Sequence, residues 1–191
     1  MTSTNLNFDD KDRKIISILS ENPDISQDAI AMEVELSQPS VALRLKKLKE
    51  TGIVQNMYGM DLLKIGLSIA KVDVTTKNTT KVLNSLMNCP YFLNGFIVSG
   101  ESNLCLFFIG EDVATLEAIV DCHIRQVDEI QNVIFNIVIG VANKLVLPLT
   151  THISRANRPP CGVETNCNDC PAYGKRCRGC PVTGHYKGTL W

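Results

Sequence analysis

The residues with the most chemistry to offer are five cysteines near the end of the chain: Cys161, Cys167, Cys170, Cys177 and Cys180. Four of them lie in a repeat. Cys167-Asn168-Asp169-Cys170-Pro171-Ala172-Tyr173-Gly174 is followed ten residues on by Cys177-Arg178-Gly179-Cys180-Pro181-Val182-Thr183-Gly184. Both copies read C-x-x-C-P-x-x-G. Two such hooks bring four soft thiolates to one tetrahedral ion, with a proline fixing each hook and a glycine letting the chain turn away. In a reducing compartment this clustering favours metal over disulfides. A closed site of Cys167, Cys170, Cys177 and Cys180 suits Zn2+. An iron–sulfur cluster also takes four cysteines and tolerates a following proline, and is the alternative. Cys161 and His185 stand ready to replace one of the four, and Cys161 otherwise reads as an oxidisable thiol outside the site. The segment has too little apolar content to fold alone, so metal is expected to supply its ordering energy, about 10–16 kcal/mol in comparable zinc peptides. Arg176, Arg178 and Lys187 would offset the thiolate charge and are available to phosphate or a partner. Cys89, Cys105 and Cys122 lie in apolar or mixed context and read as small buried hydrophobes.

Charge separates the chain into parts. The net is −1 over 191 residues, with 45% hydrophobic, which suits one or two globular cores. By segment the net is −2 over 1–60, −3 over 61–150 and +4 over 151–191. Within the first segment, Ser37 to Lys49 holds Arg44, Lys46, Lys47 and Lys49 and no acid. Basic patches on a near-neutral chain suit a protein that meets phosphate on one face. No apolar run approaches the ~18 residues of a membrane span, and no basic leader precedes an apolar stretch, so a soluble cytoplasmic protein is expected.

The elements that must position these residues follow from periodicity. Asp9 or Asp10 caps a helix with Ile15, Ile16 and Leu19 on one face, ended by Asn22-Pro23-Asp24. Ser26 caps a second helix with Ala29, Ile30 and Val34 inward. A tight turn through Glu35 and Leu36 leads to a third, capped by Ser37 with Pro39 in its first turn. Its core face is Val41, Leu45 and Leu48. Thr51-Gly52 ends it, and Ile53-Val54 with Met57-Tyr58 reads as a short wing strand pair. Helix, tight turn, helix is the helix-turn-helix. On the third helix, Ser40, Leu43 and Lys47 point away from the core, with Pro39 and Lys46 beside them. A solvent-facing leucine next to a lysine suits a major groove, where an apolar group meets a thymine methyl. Arg44, Lys46 and Lys49 flank it as phosphate ligands. The expected double-stranded DNA contacts are Ser37, Gln38, Pro39, Ser40, Leu43, Arg44, Lys46 and Lys47.

After residue 60 the period changes. Leu67–Val74, Tyr91–Ser99, Leu104–Ile109 and Val133–Val141 read as strands. Thr79–Met87 and a segment from Asp112 to about Arg125 read as helices. The order strand, helix, strand, strand, helix, strand predicts a ferredoxin-like domain, an antiparallel sheet with helices on one face. The α+β chain is therefore divided into a winged helix-turn-helix over 1–60, a ferredoxin-like domain over 61–150, a linker over 151–160 and a metal-stabilised tail over 161–191. The strands are too apolar for both sheet faces to meet water, which predicts a homodimer or larger homo-oligomer.

Phe8 to Ile16, Ala31 and the run from Ser37 to Val54, followed by Leu63-Lys64-Ile65-Gly66, resemble the Lrp/AsnC family of transcription regulators. The resemblance covers residues 8–150. It implies sequence-specific DNA binding, assembly through the ferredoxin-like domain and no catalytic residues. Two positions depart from it. Glu35 stands where the family often has glycine, which costs ~1 kcal/mol if the residue is left-handed. The loop that is commonly Gly-x-Tyr-Asp is here Gly100-Glu101-Ser102-Asn103. The resemblance implies a small-molecule effector there, and the changed residues imply different recognition. A metal- or redox-sensing regulator, with the tail as sensor, is the alternative function. An enzyme on this fold, in the manner of certain haem-pathway decarboxylases, is the lesser one. It would have only His123, His152 and His185 to use, none in an obvious acid/base pair.

Overall fold

The computed structural model describes residues 8–162 and 166–191, so the first seven residues of the DNA-binding segment and positions 163–165 of the tail lie outside it. The chain divides into two compact units at Tyr58/Gly59. The second unit runs on to Trp191, so the tail is part of it rather than a module apart.

The first unit holds three helices, α1 (Asp10–Glu21), α2 (Gln27–Val34) and α3 (Gln38–Glu50). Asp9 closes a capping box on α1: its carboxylate accepts the Asp12 N–H at 2.8 Å, and the Asp12 carboxylate accepts the Asp9 N–H at 3.4 Å. Ser26 caps α2 through the Ala29 N–H at 3.2 Å. The last carbonyls of α2 are capped from α1, where Lys11 Nζ donates to Val34 O at 2.5 Å and Lys14 donates to Glu33 O. Ile15, Ile30, Ala31, Val34, Val41 and Leu45 make the core. The turn to α3 passes through Glu35 at φ 53°, ψ 51°, the one non-glycine residue with positive φ among those described.

The expected wing is not built as strands. The N–H groups of Ile53 and Val54 both bond to Leu48 O at 3.2 Å, so they finish α3 rather than enter a ladder. Met57 and Tyr58 are exposed. The first strand comes later: β1 (Met60–Asp61) pairs with β6 (Val146–Leu147) in a two-stranded sheet.

The second unit carries β2 (Ser68–Thr76), α4 (Thr79–Leu86), β3 (Phe92–Ile97), β4 (Leu104–Gly110), α5 (Val113–Val120) and β5 (Ile130–Ile137). They form a four-stranded antiparallel sheet in the order β3-β4-β2-β5, the predicted ferredoxin-like arrangement. Alternation places Val72 and Val74 of β2 and Leu104, Leu106 and Phe108 of β4 under α4 and α5, where Val82, Leu86, Leu116, Ile119 and Val120 meet them. α5 stops short of Arg125. Residues Asp121–Arg125 instead form a widened, π-type turn that carries Cys122 and His123.

The tail folds against this domain. Tyr91 donates its hydroxyl to Gly179 O at 2.5 Å, and Trp191 meets Tyr91 edge-on at 5.1 Å. Trp191 Nε1 donates to Thr150 O at 3.0 Å. The help that the tail's composition called for therefore comes in part from docking.

Candidate functional site

In the first unit, α3 turns the expected face outward. Ser37, Gln38, Pro39, Leu43, Lys46 and Lys47 are exposed and Ser40 half-exposed, while Val41, Leu45 and Leu48 are buried. Leu43 is 70% exposed, too much for a residue that serves the unit's own core. Ser37 and Ser40 share a hydroxyl–hydroxyl bond of 2.8 Å, and Gln38 donates to Gln27 at 3.0 Å. The first contact lies within the start of α3, and the second ties that start to α2.

Arg44 is paired within its own unit. Its Nη1 lies 2.7 Å from a carboxylate oxygen of Asp9 and 2.7 Å from one of Asp12. The guanidinium is thereby committed to the capping box of α1. The Asp12 N–H and then Arg44 hold the Asp9 carboxyl below its ordinary range, and the two aspartates raise Arg44 in return. Arg44 ties α3 to α1, and the exposed cations on the outer face are Lys46, Lys47 and Lys49. Lys46 approaches Glu50 at 3.8 Å, one helical turn away, an exposed pair that phosphate can displace.

In the second unit, the turn Gly100-Glu101-Ser102-Asn103 joins β3 to β4. The Asn103 side chain accepts the Thr76 N–H at 3.0 Å and donates to Thr76 O at 2.7 Å, clamping the end of β2. Thr75 Oγ1 donates to Glu101 O at 2.9 Å. Gly100 takes φ +131°, and Glu101 is exposed.

The cysteine repeat is structural as well as sequential. In each copy the residue three after the second cysteine donates its N–H back to that cysteine's carbonyl: Tyr173 to Cys170 at 3.1 Å, Thr183 to Cys180 at 3.0 Å. Proline sits at the second position of both turns, where its fixed φ is favoured. The residues that follow it, Ala172 and Val182, are equally buried at 6% exposure. The Gly179 N–H points at Cys177 Sγ, 3.4 Å away, and Gly179 has φ +82°. A Cβ there would lie 2.6 Å from His185 O, so only glycine fits this knuckle.

All four hook cysteines line one cavity of about 60 Å³. Cys89, Cys122, His123 and Cys161 line it with them. Two of the three cysteines read as small buried hydrophobes, Cys89 and Cys122, also belong to the thiol cluster, and Cys89 is buried in the core as expected. Cys105 does not belong to the cluster. It lies opposite Asp73 and Phe96 on the sheet face away from the helices. Spacing could not have revealed Cys89; the adjacent pair Cys122-His123 was the one local signal. Cys89, His123 and Cys161 are, among the described residues, the one set whose ligand atoms all lie within 4.8 Å of one another. Burial, then neighbouring thiols, pushes Cys122 up to about 11. Burial likewise pushes Cys180 up to about 11. The Cys161 contact and then burial hold Cys89 well above the ordinary thiol value.

Acids of the sheet domain grip the tail around this cavity. Asp112, which caps α5, accepts Arg178 Nε at 2.5 Å, and Asp121 accepts Arg176 at 2.6 Å. Glu111 accepts the Thr189 N–H at 2.6 Å and the Tyr186 hydroxyl at 2.8 Å. Burial raises these three carboxyls, but the donors outweigh it and the net shift is downward for each.

A three-helix unit with an exposed basic third helix, ahead of a ferredoxin-like sheet, defines a class of DNA-binding architecture. Residues 8–55 match the family described as winged helix-turn-helix DNA-binding. The regulatory protein AsnC of Haemophilus influenzae is 22% identical over 131 residues, 66% of this chain and 87% of that protein. Among solved structures, AsnC of E. coli superposes with a TM-score of 0.64 at 17% identity, covering 73% of this chain and 97% of that one. A transcriptional regulator from Neisseria meningitidis, solved as an L-Met complex, gives 0.65 at 23% identity, covering 74% and 97%. The chain thus has the fold of the AsnC regulators, extended by a cysteine-rich segment. No helix among the described residues is long and apolar enough to cross a membrane.

Proposed function

We propose that this protein is a sequence-specific transcription regulator of the Lrp/AsnC kind, acting in the cytoplasm on double-stranded DNA through α3. The observation that carries this is the outer face of α3: an exposed Leu43 between half-exposed Ser40 and exposed Lys46-Lys47, opposite the buried Val41, Leu45 and Leu48. Selection of randomised DNA by the purified chain tests it. Pseudo-palindromic sites, with half-sites about one helical turn or a multiple apart, are expected. Recovery of DNA without sequence enrichment defeats it.

Paired half-sites require a homodimer or larger assembly, and the sheet face turned away from the helices is where we place the contact. Phe96 and Ile134 lie on it, 50% and 47% exposed, beside Phe107. An apolar patch of that kind suits association. The full chain should sediment as a dimer or larger, and a Phe96→Lys, Ile134→Lys chain as a monomer. A small-molecule effector belongs at Gly100–Asn103; the Neisseria relative carries L-Met. Because Asn103 is committed to Thr76, Glu101 and Ser102 would do the recognising.

For the tail, a zinc ion held by Cys167, Cys170, Cys177 and Cys180 is our reading, supported by the paired turns and the shared cavity. A second functional reading, metal or redox sensing, is favoured by the gathering of seven cysteines at one cavity. Operator affinity with and without metal separates a sensor from a brace.

A further inference from the structure

Three donors at the cavity come from outside the repeat. Cys89 sits in the turn after α4, His123 on the widened turn after α5, and Cys161 in the segment leading to the tail. They are distant in sequence, yet their ligand atoms all lie within 4.8 Å of one another. Zinc–sulfur and zinc–nitrogen bonds of about 2.0–2.3 Å set ligand-to-ligand edges of roughly 3.3–3.8 Å. The three are therefore a small closure away from coordinating one ion. Cys89 is buried and the other two half-buried, so an ion there would be largely shielded from water. The cavity, about 60 Å³, is far below the several hundred Å³ of a pocket for an organic ligand.

We propose that Cys89, His123 and Cys161 bind a second zinc-class dication, separate from the ion of the repeat, and that this ion fastens the tail to the ferredoxin-like domain. Two of its ligands belong to that domain and one to the segment that begins the tail, so coordination closes a loop of chain between them. Ala118, Ile119, Cys122 and His123 all line the cavity, at the i, i+4 spacing that sets Cys122 over Ala118 and His123 over Ile119 on one face. The spacing of the repeat leaves Cys161 only a substitute's place in the metal chemistry; the three-dimensional arrangement gives it partners of its own. The inference rests on the second unit alone and is independent of DNA binding.

The test is metal content of the full chain, expressed with zinc and purified anaerobically, with zinc and protein quantified separately. Two ions per chain are expected. His123→Asn should retain one, a twofold drop, and so should Cys161→Ser, which guards against a folding defect peculiar to either variant. Cobalt substitution gives a second readout: the wild-type spectrum should contain a mixed sulfur–nitrogen site that His123→Asn removes, leaving the all-thiolate bands. Limited proteolysis should cut residues 150–160 faster in both variants. Two ions retained in both variants overturns the proposal. So does a single wild-type ion lost in Cys177→Ser but kept in His123→Asn. Iron with matching acid-labile sulfide, or a Cys89–Cys161 disulfide in the anaerobic protein, overturns it as well. Loss of operator binding with two ions still present would strike the DNA-binding reading and leave this one standing.

Discussion

The outer face of α3 and the tail are both basic, and they spend their charge differently. On α3, Lys46 and Lys47 stand in solvent, and the one contact near them is the exposed pair of Lys46 with Glu50. In the tail, Arg176 and Arg178 are taken up by Asp121 and Asp112, and Lys187 lies over the Tyr173 ring at 4.6 Å. The segment net of +4 is matched to a domain net of −3, and the match is used within the chain. A local excess of cations therefore marks a nucleic-acid face only where no acid of the same chain has claimed it. Arg44 makes the same point inside α3, where one cation of four is held by Asp9 and Asp12.

The largest expected effect breaks the comparison most directly. A Lys46→Ala, Lys47→Ala chain should bind every DNA sequence more weakly, roughly 10–30-fold near 0.15 M salt, and its salt slope should fall by about two. Arg176→Ala with Arg178→Ala should leave that slope unchanged. Anisotropy titrations at several salt concentrations measure both. An unchanged slope in the lysine variant would mean that α3 docks by another face. Equal slopes lost in the arginine variant would mean that the tail reaches DNA.

Arg44→Ala sharpens the contrast within one helix. It should cost stability rather than phosphate contact. The pair is partly exposed, so the loss is about 1 kcal/mol or less, read by urea unfolding of the chain. A slope reduced by one with stability intact would return Arg44 to the DNA face.

The helices of the first unit were legible because local signals agree there. Asp9 and Ser26 cap their helices through side-chain bonds, and Ser37 takes the cap position of α3 without such a bond; periodic apolar residues follow each. The sheet order was legible from strand succession, because the ferredoxin-like arrangement is the standard packing of that order. What stayed hidden depends on long-range contact. Ile53 and Val54 have strand-forming side chains, but their N–H groups serve the end of α3. Cys89 and Cys122 sit in apolar or mixed context, and only the return of the tail, through Tyr91 and Gly179, makes them part of a thiol cluster. The Asn103 clamp on Thr76 likewise joins residues that no local pattern connects. The repeat, by contrast, was visible because both its copies are local turns.

Acid should undo the tail's grip. Glu111, Asp112 and Asp121 all have carboxyls lowered in the folded chain, by Thr189, Arg178 and Arg176 against the opposing effect of burial. A lowered folded value means stability that is present above the unfolded value and lost as pH falls through the folded one. The window is thus below about pH 4. The single tryptophan, Trp191, packs on Tyr91 and reports undocking by its fluorescence. In metal-depleted protein, where thiolate protonation contributes nothing, the Trp191 signal should change below that pH in the wild type. In Asp112→Asn with Asp121→Asn it should be already shifted at neutral pH. A wild-type transition centred near neutrality would assign the grip to other groups.

The smallest effect concerns Glu35, at the turn between α2 and α3. Its left-handed conformation costs a side chain roughly 1–2 kcal/mol relative to glycine, while glycine itself loses about 0.5–1 kcal/mol more entropy on folding. Glu35→Gly should therefore raise the stability of the first unit by about 0.5 kcal/mol. Its carboxylate meets Lys11 at 3.9 Å while 87% exposed, a contact too weak to reverse the sign. The turn also sets the angle at which α3 leaves α2, and glycine reaches the same φ and ψ without strain. DNA affinity should accordingly stay within error while the unfolding midpoint rises. A fall in stability would mean that the Lys11 contact matters more than the backbone. A fall in affinity at unchanged stability would mean that Glu35 holds α3 in its docking orientation, and the turn would then belong to the recognition face rather than to its scaffold.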